Sequence, residues 1–283
     1  MSYRLITLNS GNEIPSIGLG TYNIPRSKTT SIVYEGLKVG YRSFDTAVLY
    51  GNEEEVIAGI SKYLKENPKV KRSDVFYTTK LWNNQVGKHE TAKAINTMME
   101  QIGDLEYIDM LLIHSPLPGK QKRLEAWKVM QDAVASGKIK NIGVSNYAPK
   151  HIEELLNWSE LKIKPAVNQI EISPWCMRDE IADWCLSKDI QVEAYAPLTH
   201  GYQLQKQEPE FASIMKKYNK SAAQILIKWS LQKGYIPLPK TSTPSRLKEN
   251  FDVNDFELTS HEMEVISQPD VHDPTDWECF DAA

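Results

Sequence analysis

The sequence predicts a (β/α)8 barrel, the TIM-barrel architecture, entered through an N-terminal β-hairpin. Three observations predict it. Short apolar runs suited to strands alternate eight times with amphipathic stretches suited to helices. The chain length of 283 residues matches one such barrel. Residues able to handle protons stand at the ends of several different strands, which a barrel gathers onto one rim. A doubly wound sheet is the rival built from the same alternation. It is disfavoured because no G-x-G-x-x-G follows the first strand and no G-x-x-x-x-G-K-S/T occurs anywhere.

The hairpin occupies the first fourteen residues. Leu5-Ile-Thr-Leu8 is a strand, Asn9-Ser-Gly11 a turn signal, and a short return arm follows. Placed ahead of the repeat, it is expected to cover one end of the fold. Strands are expected near Ile17–Leu19, Arg42–Phe44, Val75–Thr79, Tyr107–Ile113, Ile139–Val144, Ala166–Ile170, Gln191–Tyr195 and Tyr235–Leu238. Helices are expected over Thr29–Val39, Glu53–Leu64, Thr91–Ile102, Leu124–Ala135, His151–Leu156, Arg178–Leu186 and Ala222–Leu231. In the fourth of these, Trp127, Met130 and Val134 follow the i, i+3, i+7 spacing of a helix with one buried face. No Pro/Gly-rich linker or low-complexity tract divides the chain, so residues 1–283 read as a single domain.

Composition narrows the function classes. Apolar residues make up 41% and charged residues 25%, an ordinary globular mix. A net charge of −4 offers no electrostatic case for nucleic acid or an anionic membrane. No apolar run approaches the roughly 18–20 residues of a membrane span, and Met1-Ser-Tyr-Arg-Leu lacks the apolar core of a signal peptide. Cys176, Cys185 and Cys279 are few, odd in number and outside any C-x-x-C pattern. Neither a disulfide framework nor a metal site is suggested, and a reducing, cytoplasmic compartment is expected.

The chemistry concentrates in Arg42-Ser-Phe-Asp45-Thr-Ala-Val-Leu-Tyr50-Gly-Asn-Glu-Glu-Glu. This segment closes a strand with Asp45, crosses a loop carrying Tyr50 and starts a helix. Phe76-Tyr-Thr-Thr-Lys80 and Met110-Leu-Leu-Ile-His114 are two further strands ending in titratable residues. Taken singly, each residue has a plain structural explanation: a loop aromatic, a turn residue, a solvated lysine, a hydrogen-bonded histidine. Together they describe an acid/base site. A free phenol has a pKa of about 10, and a neighbouring ammonium would lower it. Lys80 would supply that cation, with Asp45 balancing its charge. Asn52 with Glu55 reads as a capping pair, so the positive end of a helix would push in the same direction.

Two more groups lie on later strands. Ser145, Asn146 and Gln169 offer a hydroxyl and amides for a carboxamide ring, on which Tyr195 can stack. After the eighth strand, Pro239-Lys240-Thr-Ser-Thr-Pro-Ser-Arg246 precedes a helix, which suits a monophosphate.

In this order the three groups resemble the aldo-keto reductase superfamily, and the resemblance covers essentially the whole chain. It rests on Gly18-Leu-Gly-Thr-Tyr22, Phe44-Asp-Thr-Ala-Val-Leu-Tyr-Gly-Asn-Glu53, Thr79-Lys-Leu-Trp82, Ile108-Asp-Met-Leu-Leu-Ile-His-Ser115, Ile142-Gly-Val-Ser-Asn146, Asn168-Gln-Ile-Glu171 and Leu238-Pro-Lys-Thr241. The chain is especially similar to small fungal members in Glu193-Ala-Tyr-Ala-Pro-Leu198 and Pro274-Thr-Asp-Trp-Glu-Cys279.

The resemblance implies NADPH-dependent reduction of aldehydes and ketones, with hydride passing from nicotinamide C4. Tyr50 is then the general acid, Lys80 its tuner, Asp45 the partner of Lys80, and His114 the group orienting the substrate carbonyl. Ser145, Asn146 and Gln169 match the carboxamide binders, Tyr195 the stacking ring, and Thr21 and Tyr22 residues beside the ribose. Leu198 belongs with these cofactor contacts. Lys240, Thr241 and Arg246 match the clamp on the 2′-phosphate, and Glu249 and Asn250 the adenine contacts. Tyr22, Trp82 and Trp277 are expected to line an apolar substrate pocket, with Val271–Ala283 folded over its mouth. The implied partner is a small carbonyl compound, with no nucleic acid and no membrane. The implied assembly is a monomer or a dimer, in cytoplasm or nucleus.

Two departures stand out. Ala196 replaces a serine common near the pyrophosphate, and Leu117–Lys122 is a short loop, which implies an open pocket. Some relatives of this kind bind NADPH as regulatory or sensing subunits with little turnover. The complete set of four proton-handling residues favours an enzyme.

Overall fold

Eight parallel strands form one sheet in the computed structural model, which describes residues 3–204 and 208–283. Met1 and Ser2, at the head of the expected hairpin, lie outside the described residues, as do residues 205–207. The hairpin consists of β1 (Leu5–Thr7) and β2 (Glu13–Pro15), paired antiparallel. The sheet follows as β3 (Leu19–Gly20), β4 (Ser43–Asp45), β5 (Phe76–Leu81), β6 (Ile108–Ile113), β7 (Ile139–Ser145), β8 (Val167–Glu171), β9 (Gln191–Tyr195) and β10 (Ile236–Leu238). Each pairs with its sequence neighbour.

The two edges of the sheet meet. Gly18 N–H donates to Pro237 O and Gly20 N–H to Pro239 O, both at 3.1 Å, and Gly20 bridges Lys240 in parallel. The ring is the expected (β/α)8 barrel. Glycine is required along this seam: a Cβ at Gly20 would stand 3.0 Å from Leu238 O, and one at Gly18 would stand 2.6 Å from the Leu238 side chain.

The helices are α1 (Arg26–Val39), α2 (Glu53–Glu66), α3 (Lys88–Ile102), α4 (Lys120–Ala135), α5 (Pro149–Leu156), α6 (Asp179–Ser187), α7 (Pro209–Tyr218), α8 (Ala222–Gln232), α9 (Pro244–Phe251) and α10 (Ser260–Ile266). Strands β5 and β6 are buried at all six positions, as expected for parallel strands covered on both faces. Their outward residues pack under the helices. Inside the barrel, Phe76, Met110, Leu112, Ala166, Val167, Ile236 and Leu238 form a separate apolar layer.

The hairpin plugs that layer with Leu8 and Ile14. Asn9 Nδ2 donates to the carbonyls of Pro165 and Asp189, each at 2.8 Å, and Ser10 Oγ donates to Asn141. The hairpin thus closes the end of the barrel opposite to the one where the strands deliver their last residues, as expected of it. Among the described residues no helix is long and apolar enough to cross a membrane.

Local departures from the sequence reading have physical causes. The expected Asn52–Glu55 capping pair does not form, although the helix starts at Glu53. The buried Asn52 amide instead ties loops together: Nδ2 donates to Thr21 O at 2.9 Å and Oδ1 accepts from Thr46 Oγ1 at 2.9 Å. Glu55 is drawn outward to Arg26 at 2.7 Å. Helix α7, between β9 and α8, and helix α10 were not anticipated.

Candidate active site

The carboxyl ends of the strands bring the expected catalytic residues together. Asp45 is the last residue of β4, Lys80 the penultimate residue of β5, and His114 directly follows β6. Tyr50 ends a short 3-10 turn, Val48–Tyr50, between β4 and α2. Parallel register places Asp45 beside Thr78 and Lys80 beside Leu112, so the acid and the base stand on adjacent strands. Lys80 Nζ donates to both Asp45 oxygens at 2.7 Å, to Thr46 O at 2.9 Å and to Tyr50 Oη at 3.2 Å. Lys80 is fully buried and Asp45 nearly so. A buried charge pair of this kind is tolerated only when its hydrogen bonds are complete, and these are.

The direction of the phenol follows from the donor. Lys80 has no lone pair to offer, so Tyr50 oxygen accepts from it, and the phenolic proton is free to point elsewhere. Burial pushes the Tyr50 pKa well above its ordinary value, and the Asp45 carboxylate adds to the rise. This corrects the expectation that Lys80 lowers it. Desolvation is the largest cause, and the Asp45 carboxylate acts against the neighbouring ammonium. Tyr50 is therefore a protonated donor. Burial, and then the charge of Lys80, hold the His114 pKa well below its ordinary value. The imidazole is neutral and stands edge-on to the Tyr50 ring, with centroids 5.7 Å apart. Among the described residues, its Nδ1 is buried without a partner.

Ser145, Asn146, Gln169 and Tyr195 line the same cleft. Their polar atoms are already organised. Ser145 Oγ donates to Gln169 O at 2.8 Å, and Asn146 Nδ2 donates to His114 O at 3.0 Å. Tyr195 Oη donates to Asn146 Oδ1 at 2.9 Å, which pins the phenol and leaves its ring as a wall. Asn146 holds φ at 62°, a left-handed conformation that asparagine tolerates better than most residues. Gln169 Nε2 donates to Asp45 Oδ2 at 2.9 Å and to Glu193 Oε2 at 3.0 Å. Glu193 escaped the sequence reading, although Tyr195 inward implies Glu193 inward by the two-residue period of a strand.

The cleft continues past Leu198 to Lys240, Thr241, Ser242, Thr243, Arg246, Glu249 and Asn250 at the start of α9. Among the described residues, neither Lys240 nor Arg246 has an ion-pair partner. Two unpaired cations and several hydroxyls at a helix N-terminus suit a phosphate group. The residues present therefore fit a phosphorylated dinucleotide: cations at one end of the cleft, organised amides at the other, with the Tyr195 ring between. Thr21 differs from expectation. Its hydroxyl and its N–H both donate to Asp45 O, at 2.8 and 3.0 Å, so it braces Asp45 from inside the wall.

The chain's last segment roofs the cleft, as expected. Glu171 Oε1 accepts from Thr275 N at 2.6 Å and from Thr275 Oγ1 at 2.7 Å, and Glu171 Oε2 accepts from Asp276 N at 3.1 Å. Arg178 pairs with Glu278 at 2.8 Å. A strap from the loop after β9 meets this roof, with His200 Nε2 2.9 Å from Asp276 Oδ2 and Gln203 Nε2 2.8 Å from Asp273 Oδ2. Tyr22 and Trp277 line the cavity. Trp82 stands beside it, edge-on to His114 at 5.2 Å and to Trp277 at 6.0 Å. The Glu171 anchor was not foreseen, though an inward Gln169 implies it by the same period.

Comparison with known proteins agrees with this geometry. Residues 16–270 match the aldo/keto reductase family. An uncharacterized oxidoreductase of Saccharomyces cerevisiae is 57% identical over 276 residues, covering 97% of each chain. The methylglyoxal reductase DkgA of Escherichia coli is 38% identical over 266 residues, covering 94% of this chain and 93% of its own. Among solved structures, a Bombyx mori aldo-keto reductase in complex with NADP superposes with a TM-score of 0.86 at 33% identity, covering 94% of this chain and 92% of its own.

Proposed function

This chain belongs to the aldo/keto reductase family, and on that premise we propose that Tyr50 delivers the proton as an NADPH-derived hydride reduces an aldehyde or ketone. NADP-dependent oxidation and reduction of carbonyl compounds follows from the family. Residues 1–283 act as a single domain in this proposal. One observation carries it above the others: a buried Lys80, held on Asp45, donates to the Tyr50 phenol at 3.2 Å.

In this reading Lys240, Thr241 and Arg246 hold the 2′-phosphate, and Glu249 and Asn250 meet the adenine. Ser145, Asn146, Gln169 and Tyr195 hold the nicotinamide, with Tyr22 and Leu198 beside it. Thr21 contributes by bracing Asp45. When bound, the cofactor supplies the hydride.

The chain's own residues do the rest. Lys80 donates to the phenol oxygen, so the Tyr50 proton is presented outward to the substrate oxygen. His114, kept neutral by burial and by Lys80, can donate an N–H to the same oxygen without placing a second cation beside Lys80. Charge growing on that oxygen meets two preset donors, as in an oxyanion site. After transfer, the phenolate stands next to the ammonium that supports it. The aromatic walls Tyr22 and Trp277, with Trp82 behind, favour compact or apolar carbonyls. The relative named as a methylglyoxal reductase makes methylglyoxal a natural first substrate.

The test is NADPH consumption with methylglyoxal and a panel of aldehydes, ketoesters and sugars. Turnover on members of the panel supports the reading. Tight NADPH binding with no turnover on any of them would defeat it.

A further inference from the structure

We propose that Glu193 is a positioning residue for this reaction: it holds the Gln169 amide so that the amide nitrogen braces Asp45 and the amide oxygen faces the cofactor cleft. The inference rests on the carbonyl-reductase reading and names a residue that the reading does not use.

Glu193 stands on β9 directly beside Gln169 on β8, and its side chain is almost wholly buried. The Gln169 NH2 has two protons and two carboxylate neighbours, Asp45 Oδ2 at 2.9 Å and Glu193 Oε2 at 3.0 Å. Both protons are thus committed. A flipped amide would aim its oxygen at the Asp45 carboxylate and withdraw the donor from Glu193 Oε2, so the two acceptors together hold the amide in this orientation. Among the described residues the Gln169 oxygen has no protein partner, and Gln169 lines the cleft. It is left as an acceptor for a carboxamide NH2. A continuous chain then runs Glu193–Gln169–Asp45–Lys80–Tyr50.

A second observation concerns charge. Glu193 Oε1 is buried with no partner among the described residues, a costly state for a carboxylate. The charged groups facing it are Asp45 from β4 and Lys80 from β5. Gln169 from β8 is neutral, and Ile236, its register neighbour on β10, is apolar. Burial, and then the Asp45 charge, push the Glu193 pKa up to about 7. Below that pH the cluster of Asp45, Lys80 and protonated Glu193 is neutral. Above it, a net negative charge sits behind the phenol, tightens its hold on the proton and slows donation.

Two variants separate the parts. Glu193→Gln keeps an acceptor for Gln169 and loses the titration. Glu193→Met keeps the bulk and loses the acceptor. In the cofactor-free full chain, infrared spectra of wild type should show a protonated carboxyl band that disappears as pH rises through about 7, and Glu193→Gln should lack it. NADPH affinity, read by tryptophan fluorescence, should fall about fivefold in Glu193→Met and stay near wild type in Glu193→Gln. With methylglyoxal, wild-type kcat should drop about threefold through neutral pH, and Glu193→Gln should be flat there.

Wild-type NADPH affinity in Glu193→Met, together with an unchanged pH profile in Glu193→Gln, would overturn the proposal. If neither variant folds, the wild-type titration decides: no protonated carboxyl band on the acid side overturns it. Tyr50→Phe alongside keeps the two readings apart. Wild-type turnover that vanishes in this variant upholds the reductase reading whatever Glu193 does. If wild type turns over no carbonyl, that reading fails, while the infrared and fluorescence results still judge Glu193.

Discussion

Removing the Lys80 ammonium is the most informative structural perturbation. In Lys80→Met the Asp45 carboxylate loses both 2.7 Å contacts, Thr46 O loses its donor, and Tyr50 loses its 3.2 Å neighbour. Asp45 keeps the Gln169 amide at 2.9 Å. Breaking a buried pair by deleting one partner costs about 3–5 kcal/mol, because the remaining charge is stranded. For a chain of this size about 2 °C of melting temperature goes with each kcal/mol. The expected fall is therefore about 6–10 °C. Turnover should fall at least about 10²-fold, since the phenolate left after proton transfer loses its cation. The assays are thermal melting at neutral pH and NADPH-linked carbonyl reduction. A variant that melts like wild type at neutral pH, or that keeps its turnover, would refute the reasoning about the pair.

Other outcomes follow from the same geometry. Lys240→Ala and Arg246→Ala should each weaken NADPH binding about tenfold while leaving NADH nearly unchanged. Equal losses for both cofactors would move the phosphate elsewhere. His200 has a raised pKa, chiefly through its hydrogen bond to Asp276. Its contribution to stability is full below the unfolded value of about 6.5 and lost as pH rises through the folded one. The melting gap between wild type and His200→Gln should correspond to no more than about 1 kcal/mol in mild acid and close in mild alkali. A gap that grows with pH would contradict this role for the His200–Asp276 pair. Truncation after Pro269 removes Asp276 and Trp277 from the cleft and should change the order of preferred carbonyls. An unchanged order would deny the roof a part in the pocket.

Much of this site was legible because a barrel turns sequence position into place. Asp45, Lys80 and His114 each close, or just pass, a short apolar run, and parallel strands deliver such positions to one rim. The hairpin was legible from Asn9-Ser-Gly11, and its role from its place before the repeat. Less was legible where burial overrides local rules. Asn52 looked like a cap, but a buried amide must satisfy both its ends, and the loops around Thr21 and Thr46 offered better partners. The Tyr50 shift runs opposite to the direction that Lys80 alone implies, because desolvation and then the Asp45 carboxylate raise it. Helix α7 carried its own signal, Phe211, Ile214, Met215 and Tyr218 at helical spacing. Helix α10 had a true capping box, Thr259 with Glu262. Glu193 and Glu171 were hidden because an acid inside a strand is usually read as facing solvent.

Tyr50 as the proton donor is tested most directly by Tyr50→Phe. The substitution removes one oxygen from a buried ring and leaves Lys80 on Asp45. NADPH affinity should stay within about twofold of wild type, while kcat for methylglyoxal or any other accepted carbonyl falls by about 10²–10⁴. A variant that binds NADPH and still reduces carbonyls at near wild-type rate would contradict the account.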